Sequence, residues 1–368
     1  MEKYKILNLR DNPFKDVTPS LSSDSELEWA GLMELKQKIE KVYKDTITTY
    51  TRQIVLNWGA WGGGKTFASI YFTSKNFSTD NIKVTQVYIQ PPKEGSQSTI
   101  DFFKSIIDGI SFSEIHKRIK IVIEEIGSEK LFALINNRIR SEEFANAIIK
   151  IGDDDPEIVS LMHTYIYTGL TKTELKKVGL PRALQSDKDR VKFLTGIIMC
   201  FISNQRETKA RFILWIDEME ELIYFSQKNY RAFSQMLRDF SDLLNEGFTL
   251  FLNFNLTEPE ESTIEMLLGS ALWSRINKKI RFKELDEAMG LQYVKDLLEA
   301  QKINQRTYFT DAIIKQILET IPKSEMTPRE VNKRFSSFLD YCIDKRIKNI
   351  STSSVNEYIE SLSEDDLL

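Results

Sequence analysis

Five apolar runs punctuate a chain whose remaining residues recur mostly at helical spacing. Residues 53–58 (QIVLNW) are almost continuously apolar, the pattern of a strand buried on both faces. Residues 83–90 (KVTQVYIQ) alternate well enough for a second strand, which Pro91-Pro92 stops. Residues 211–218 (RFILWIDE) carry five apolar positions into an Asp-Glu pair, and 249–255 (TLFLNFN) and the shorter 279–282 complete the set.

Between these runs the period changes to that of helices. After an extended piece around Asn12-Pro13-Phe14 and a polar stretch from Ser20 to Ser25, a helix is expected over 26–43, with Leu27, Leu32, Leu35 and Ile39 near one face. Further helices are expected from Thr66 onward, over 228–245 and 260–268, and then over 287–301, 310–319, 328–344 and 353–362. Helical periods also dominate 99–205, with turns near Gly127, at 152–156 and at 179–181. That stretch far exceeds what a crossover between parallel strands needs, so about 113–190 reads as a helical insertion. Within it, Asp153-Asp154-Asp155 before Pro156 and Glu157 reads as a helix start, because acids suit the first turn.

Composition narrows the class without naming it. The 368 residues are 41% hydrophobic and 28% charged, ordinary for a soluble protein with room for two or three structural units. No apolar run approaches the ~18 residues of a membrane span. The first residues lack the apolar core of a secretion signal, and the two cysteines, Cys200 and Cys342, have no partner motif, so a cytoplasmic location with reduced thiols is expected. His116 and His163 lie in helix-like segments and make no zinc spacing with those cysteines. A net charge of −4 argues against a surface that grips nucleic acid all over. Locally, residues 275–348 hold 16 Lys/Arg against 11 Asp/Glu, a mild excess that a solvated helical surface also explains.

The chemistry enters with GAWGGGKT, Gly59 to Thr66, which has the spacing of a phosphate-binding loop. Such a loop cradles phosphates with backbone N–H groups, reaches the outer phosphates with its lysine and helps hold Mg²⁺ with its hydroxyl. A strand before it and a helix after it provide the anion site at a helix N-terminus that the motif requires. Gly59, Gly62, Gly63, Gly64, Lys65, Thr66 and Phe67 therefore form the expected nucleotide-binding set, with ATP and Mg²⁺ as ligands. Asp217 suits the metal, directly or through water, and Glu218 suits a general base that deprotonates water in line with the γ-phosphate; an exposed helix-start acid pair is the plainer reading. Asn253 and Asn255 point to one face of their strand, and Asn255, nearest the strand end, is the first choice to align that water. A buried, internally satisfied amide is the competing account of both.

Taken in order, these features resemble the AAA+ ATPases. GAWGGGKT matches their Walker A motif, FILWIDE their Walker B motif, and LFLNFN looks like their sensor-1 strand. Within ALWSRINKKIRF, Arg275 stands where that family often carries an arginine finger, and MTPREVNKRF, around Pro328-Arg329, looks like the sensor-2 helix of a lid. The resemblance spans about residues 12–362, except that the insertion has no clear counterpart. It is strongest to the origin-recognition-type initiators and related bacterial ATPases of mobile elements and phage defence. Where the initiators often carry Gly-Arg before their first helix, this chain has Gly31-Leu32, and the 39 residues after Arg329 are too few to add a winged-helix DNA-binding domain. The wording around the loop is also similar to KAP-type P-loop ATPases, without their membrane segments.

The resemblance implies an α/β parallel-sheet P-loop core of the AAA+ type, with a long helical insertion and a C-terminal all-helical lid. The expected division is 1–50 as N-terminal extension and linker helix, 51–284 as ATPase core and 285–368 as lid. It also implies an ATP hydrolase that assembles with itself or with other proteins, makes nonspecific DNA contact and remodels or loads a partner. Arg275 would complete a neighbour's site and Arg329 would close the lid on ATP. The alternative is a nucleotide-dependent signalling switch with little turnover. A small-molecule kinase fits poorly, because such enzymes lack the arginine after the fourth strand and the helical tail.

Overall fold

A computed structural model describes residues 3–14, 27–202, 209–256, 261–306 and 308–365. The polar stretch from Ser20 to Ser25 and the expected first residues of two helices, Glu26 and Glu260, lie outside the described residues.

The apolar runs become five strands, β1 (Gln53–Gly59), β2 (Ile82–Ile89), β3 (Lys209–Ile216), β4 (Phe248–Asn255) and β5 (Lys278–Phe282). They form one parallel sheet in the order β2-β3-β4-β1-β5. Every residue of β1 and β4 is buried, which explains why both read as unbroken apolar runs rather than alternating ones. On one face Val55, Ile213, Trp215 and Phe251 pack with the helices Met33–Thr49 and Lys65–Ser74. On the other, Ile54, Leu56, Phe212, Leu214, Leu250 and Leu252 share a core with the helices that lie between β2 and β3. Trp215 and Phe251 are partners in register, and their rings stack at 3.8 Å between centroids. The Trp215 indole donates to the Tyr43 hydroxyl (2.9 Å), which in turn donates to Gln86 (2.7 Å), so one buried line of hydrogen bonds ties the helix Met33–Thr49 to the sheet.

Seven α-helices from Ser98 to Met199 fill the interval between β2 and β3. Their boundaries are locally encoded: Ser111 accepts from the Glu114 N–H, Asp155 from the Glu157 N–H, and Thr171 and Ser186 form capping boxes with Glu174 and Asp189. The Asp153–Asp155 cluster is thus a helix start. These helices do not hang off the sheet. Ile106, Phe193 and Ile197 belong to the same core as the strand residues.

The helices Gln227–Leu243 and Glu261–Trp273 join the core of the sheet, and the last four, Glu287–Gln301, Asp311–Leu318, Pro328–Asp344 and Thr352–Asp365, gather around a second core that also takes in Tyr4, Leu7, Leu9 and Phe14. Phe14 packs on Phe335, the Arg10 N–H donates to the Gln301 carbonyl, and Asn12 donates to Ser336.

One expected element is corrected. The helix expected over 26–43 begins only at Met33 and runs to Thr49. Gly31 and Leu32 both take left-handed backbone angles (φ +52° and +47°), which end any helical register before it can start. Asp296 fixes this turn by accepting the Gly31 N–H at 2.7 Å. The helix expected over 260–268 continues to Trp273 across a break at Gly269.

Candidate functional site at the carboxyl edge of the sheet

Parallel strands in register deliver their last residues to one edge. Gly59 pairs with both Asn255 and Phe282, and Ile216 pairs with Ile89 and Leu252. The phosphate-binding loop, the Asp217-Glu218 pair and Asn255 therefore arrive together, although up to 196 residues separate them in sequence. The loop, Glu218 and Asn255 border a cleft of about 1360 Å³, above the ~300–1,000 Å³ of most ligand pockets.

The loop's conformation needs its glycines. Gly62 and Gly64 sit at φ +75° and +92°, and a Cβ on Gly62 would stand 2.6 Å from the Arg329 Cβ. Lys65 opens the following helix with its side chain buried, donating to the carbonyls of Gly59 (3.1 Å) and Ala60 (2.7 Å). Burial lowers its pKa to about 8, against the opposite pull of the Glu220 and Asp217 carboxylates. Gly62, Gly63, Gly64, Lys65, Thr66 and Phe67 all line the cleft, and Gly59 ends the strand beneath it.

Behind the loop lies a buried polar chain. Asp217 accepts from Asn253 (2.9 Å) and from the Tyr88 hydroxyl (3.0 Å), and its carboxylate is fully shielded. Asn253 also donates to Ser69 (2.7 Å), while Asn57 donates to Asn253 (2.9 Å) and keeps its own Oδ1 without a partner. Glu218 stands in front, lining the cleft in a left-handed conformation (φ +56°) that is costly for a non-glycine residue. Burial, with the Asp217 and Glu221 carboxylates beside it, pushes its pKa up. The two asparagines part company: Asn255 lines the cleft, whereas Asn253 is wholly buried between Asp217 and the loop helix.

From the far side the C-terminal helices close on the loop. The Arg329 N–H donates to the Gly62 carbonyl at 3.3 Å, and Pro328, Arg329, Asn332 and Tyr293 line the cleft. Trp29 covers another wall, packed on Phe67 (5.6 Å) and Tyr71 (5.1 Å) and donating to the Gly31 carbonyl.

Arg275 is not at this cleft in its own chain. It precedes β5, whose first residue pairs with Val55 and whose last pairs with Gly59, so it sits at the amino edge of the sheet. There Asp242 holds it through two contacts of 2.7 Å and also pairs with Arg52. Cys200 and Cys342 are buried free thiols, each pushed up to about 12 by burial. Among the described residues no group of three His, Cys, Asp or Glu side chains is placed to hold a metal, and no helix is long and apolar enough to cross a membrane.

Three residues of the site carry no local signal. Tyr88 reads as an ordinary strand residue, Trp29 as part of a helix, and Glu220 as one acid in the run DEMEE. Glu220 is nevertheless buried, and its two carboxylate oxygens accept the backbone and side-chain N–H groups of Asn255 at 2.9 and 2.8 Å.

No family model and no curated protein sequence matches the chain. Solved structures do match its fold. It is similar to the Aeropyrum pernix ORC1 protein, solved in complex with DNA, at 12% identity and TM-score 0.50, covering 95% of this chain and 69% of that one. It is similar to the Aeropyrum pernix ORC2 protein in its ADP form at 9% identity and TM-score 0.50, covering 96% and 73%. A Drosophila ORC structure bound to DNA matches at 11% identity and TM-score 0.49, covering 94% of this chain, which spans 64% of that chain's length. With the strand order and the loop's place in the sheet, the two Aeropyrum pernix likenesses show an AAA+-type P-loop fold similar to that of the ORC proteins.

Proposed function

We propose that this chain binds Mg·ATP at the carboxyl edge of the sheet and hydrolyses it, coupling the cycle to assembly and to remodelling or loading of a partner on DNA. The observation that carries this reading is the convergence on one cleft of the phosphate-binding loop, Glu218, Asn255 and Arg329, with Asp217 directly behind. The DNA part rests on the fold likeness to proteins solved with DNA.

The residues divide the work by position. Loop N–H groups and Lys65 take the phosphates, Lys65 exchanging its carbonyl partners for phosphate oxygens. The donor set fits Mg²⁺, which dehydrates reluctantly and needs few protein ligands: Thr66, at the start of the loop helix, lines the cleft, and Asp217, already accepting two hydrogen bonds, is suited to hold a metal-bound water. Held there, Mg²⁺ would neutralise phosphate charge that builds up during transfer. Glu218, with its raised proton affinity, takes the proton of the attacking water, and Asn255 orients that water. Arg329 binds the outer phosphates and keeps the C-terminal helices against the loop. Arg275 serves a neighbouring subunit's cleft.

Steady-state ATP turnover with and without DNA tests this reading. Glu218→Gln is expected to lower turnover by roughly 10²–10⁴-fold, the usual range for a positioned base, with ATP still bound. Wild-type protein that retains nucleotide without turnover under all conditions would instead support the switch reading. One observation favours that alternative: Arg275 lies away from its own chain's cleft, held by Asp242.

A further inference from the structure

Asn255 is held in a way its strand position does not require. It ends β4, where its backbone N–H and side-chain amide both point toward the short 3-10 helix Met219–Tyr224. Glu220 of that helix receives both, Oε2 from the backbone N–H at 2.9 Å and Oε1 from Nδ2 at 2.8 Å. Accepting one donor on each of its two terminal atoms requires a carboxylate, since a neutral amide has an acceptor oxygen on one side and a donor nitrogen on the other. With Nδ2 committed to Glu220, the other end of the amide, Oδ1, has no hydrogen-bond donor among the described residues. Asn255 is 8% exposed and that small exposure is to the cleft.

We infer that Glu220 is a positioning residue that fixes the rotation of the Asn255 amide so that its oxygen, rather than its nitrogen, faces the attacking water. This rests on the hydrolytic reading above. A water about to lose a proton to Glu218 must be oriented by acceptors for its hydrogens, leaving a lone pair for the γ-phosphorus. An Oδ1 facing the cleft accepts one hydrogen while Glu218 takes the other. An Asn255 turned over would present Nδ2 instead and bind the lone pair that has to attack. The carboxylate of Glu220 selects between these two rotations, because only one lets both of its oxygens accept. It does not itself line the cleft; it acts on the water through Asn255, while its charge also favours the charged form of Lys65.

Glu220→Gln is the direct test, since it keeps the side chain's shape and permits the turned-over amide. Measured well below pH 8, where Lys65 stays charged, turnover at saturating ATP is expected to fall about 10- to 100-fold, as is usual when an outer partner of a reacting group is lost, with KM and ATP affinity unchanged. The loss should not add to that of Asn255→Ala: the double variant should turn over like Asn255→Ala alone. Additive losses, or a Glu220→Gln protein with normal turnover, would overturn the inference. So would a fall in turnover matched by a fall in ATP affinity, which a purely structural role would give. If thermal melting shows Glu220→Gln to be unfolded, Glu220→Asp, which keeps the charge and shortens the reach, is read by the same criteria. Wild-type protein without ATPase activity would overturn the hydrolytic reading, and this inference with it; active wild type with an indifferent Glu220 overturns this inference alone.

Discussion

Lys65 shows how one side chain can report the state of the site. Its ammonium is buried against two backbone carbonyls, and its pKa falls to about 8. Phosphate oxygens would favour the charged form and raise that value again. Above about pH 8 Lys65 is largely deprotonated when it rests on its own carbonyls and would be protonated beside phosphates, so ATP binding takes up a proton; well below 8 it does not. Calorimetric titration in buffers of different ionisation enthalpy reads this directly, and uptake that is absent at pH 9 would remove Lys65 from the phosphates. Glu218 titrates in the opposite sense for activity. Its raised pKa places the acid limb of the kcat profile above the ordinary carboxylate range, and a limb at an unshifted position would count against it as the base. Gly62 makes the third test. Alanine there meets both a left-handed φ of +75° and the Arg329 side chain at 2.6 Å, so either the loop or the C-terminal helix must move. Strain of ~1–3 kcal/mol corresponds to a loss of about tenfold or more in ATP affinity, measured with a fluorescent analogue.

At the level of elements, legibility followed the range of the interactions that set each one. β1, β3 and β4 could be read because a strand covered on both faces must be apolar at nearly every position. The helix caps between β2 and β3 are local as well, which is why Asp155 could be assigned from three residues of context. The start of the helix Met33–Thr49 could not, because what ends its register is Asp296, 265 residues away. The site divides in the same way. GAWGGGKT and Asp217-Glu218 are contiguous and so visible, whereas Tyr88 acquires its part only through Asp217, 129 residues distant, and Glu220 through Asn255, 35 residues distant. Tyr43→Phe tests the attachment of the helix Met33–Thr49 to the sheet. Removing a buried hydroxyl leaves the Trp215 N–H and the Gln86 oxygen unsatisfied, and stability to denaturant should fall by about 1–3 kcal/mol. A change within error would mean that the line of hydrogen bonds does not anchor the helix.

For the whole molecule, the decisive position is that of Arg275. Sequence order suggested an arginine finger, and the sheet register puts the residue at the edge away from its own cleft, paired with Asp242. If it serves a neighbour, Arg275→Ala should abolish turnover in the assembled protein while leaving ATP affinity intact, and mixing it with a Glu218→Gln protein should restore part of the activity in shared sites. Turnover that is unaffected in Arg275→Ala, alongside light scattering that shows a single chain with and without ATP and DNA, would remove this role. The second core has a consequence for how the chain is made. Asn12 and Ser336 are hydrogen-bonded across 324 residues, and Phe14 rests on Phe335. At roughly 5–20 residues per second of synthesis, Tyr4, Leu7, Leu9 and Phe14 wait on the order of tens of seconds before the helices that cover them exist. The sheet and its insertion can complete their own core in that interval, so these four apolar residues, made long before their cover, are among the last to be shielded, and a chaperone would find its handle there.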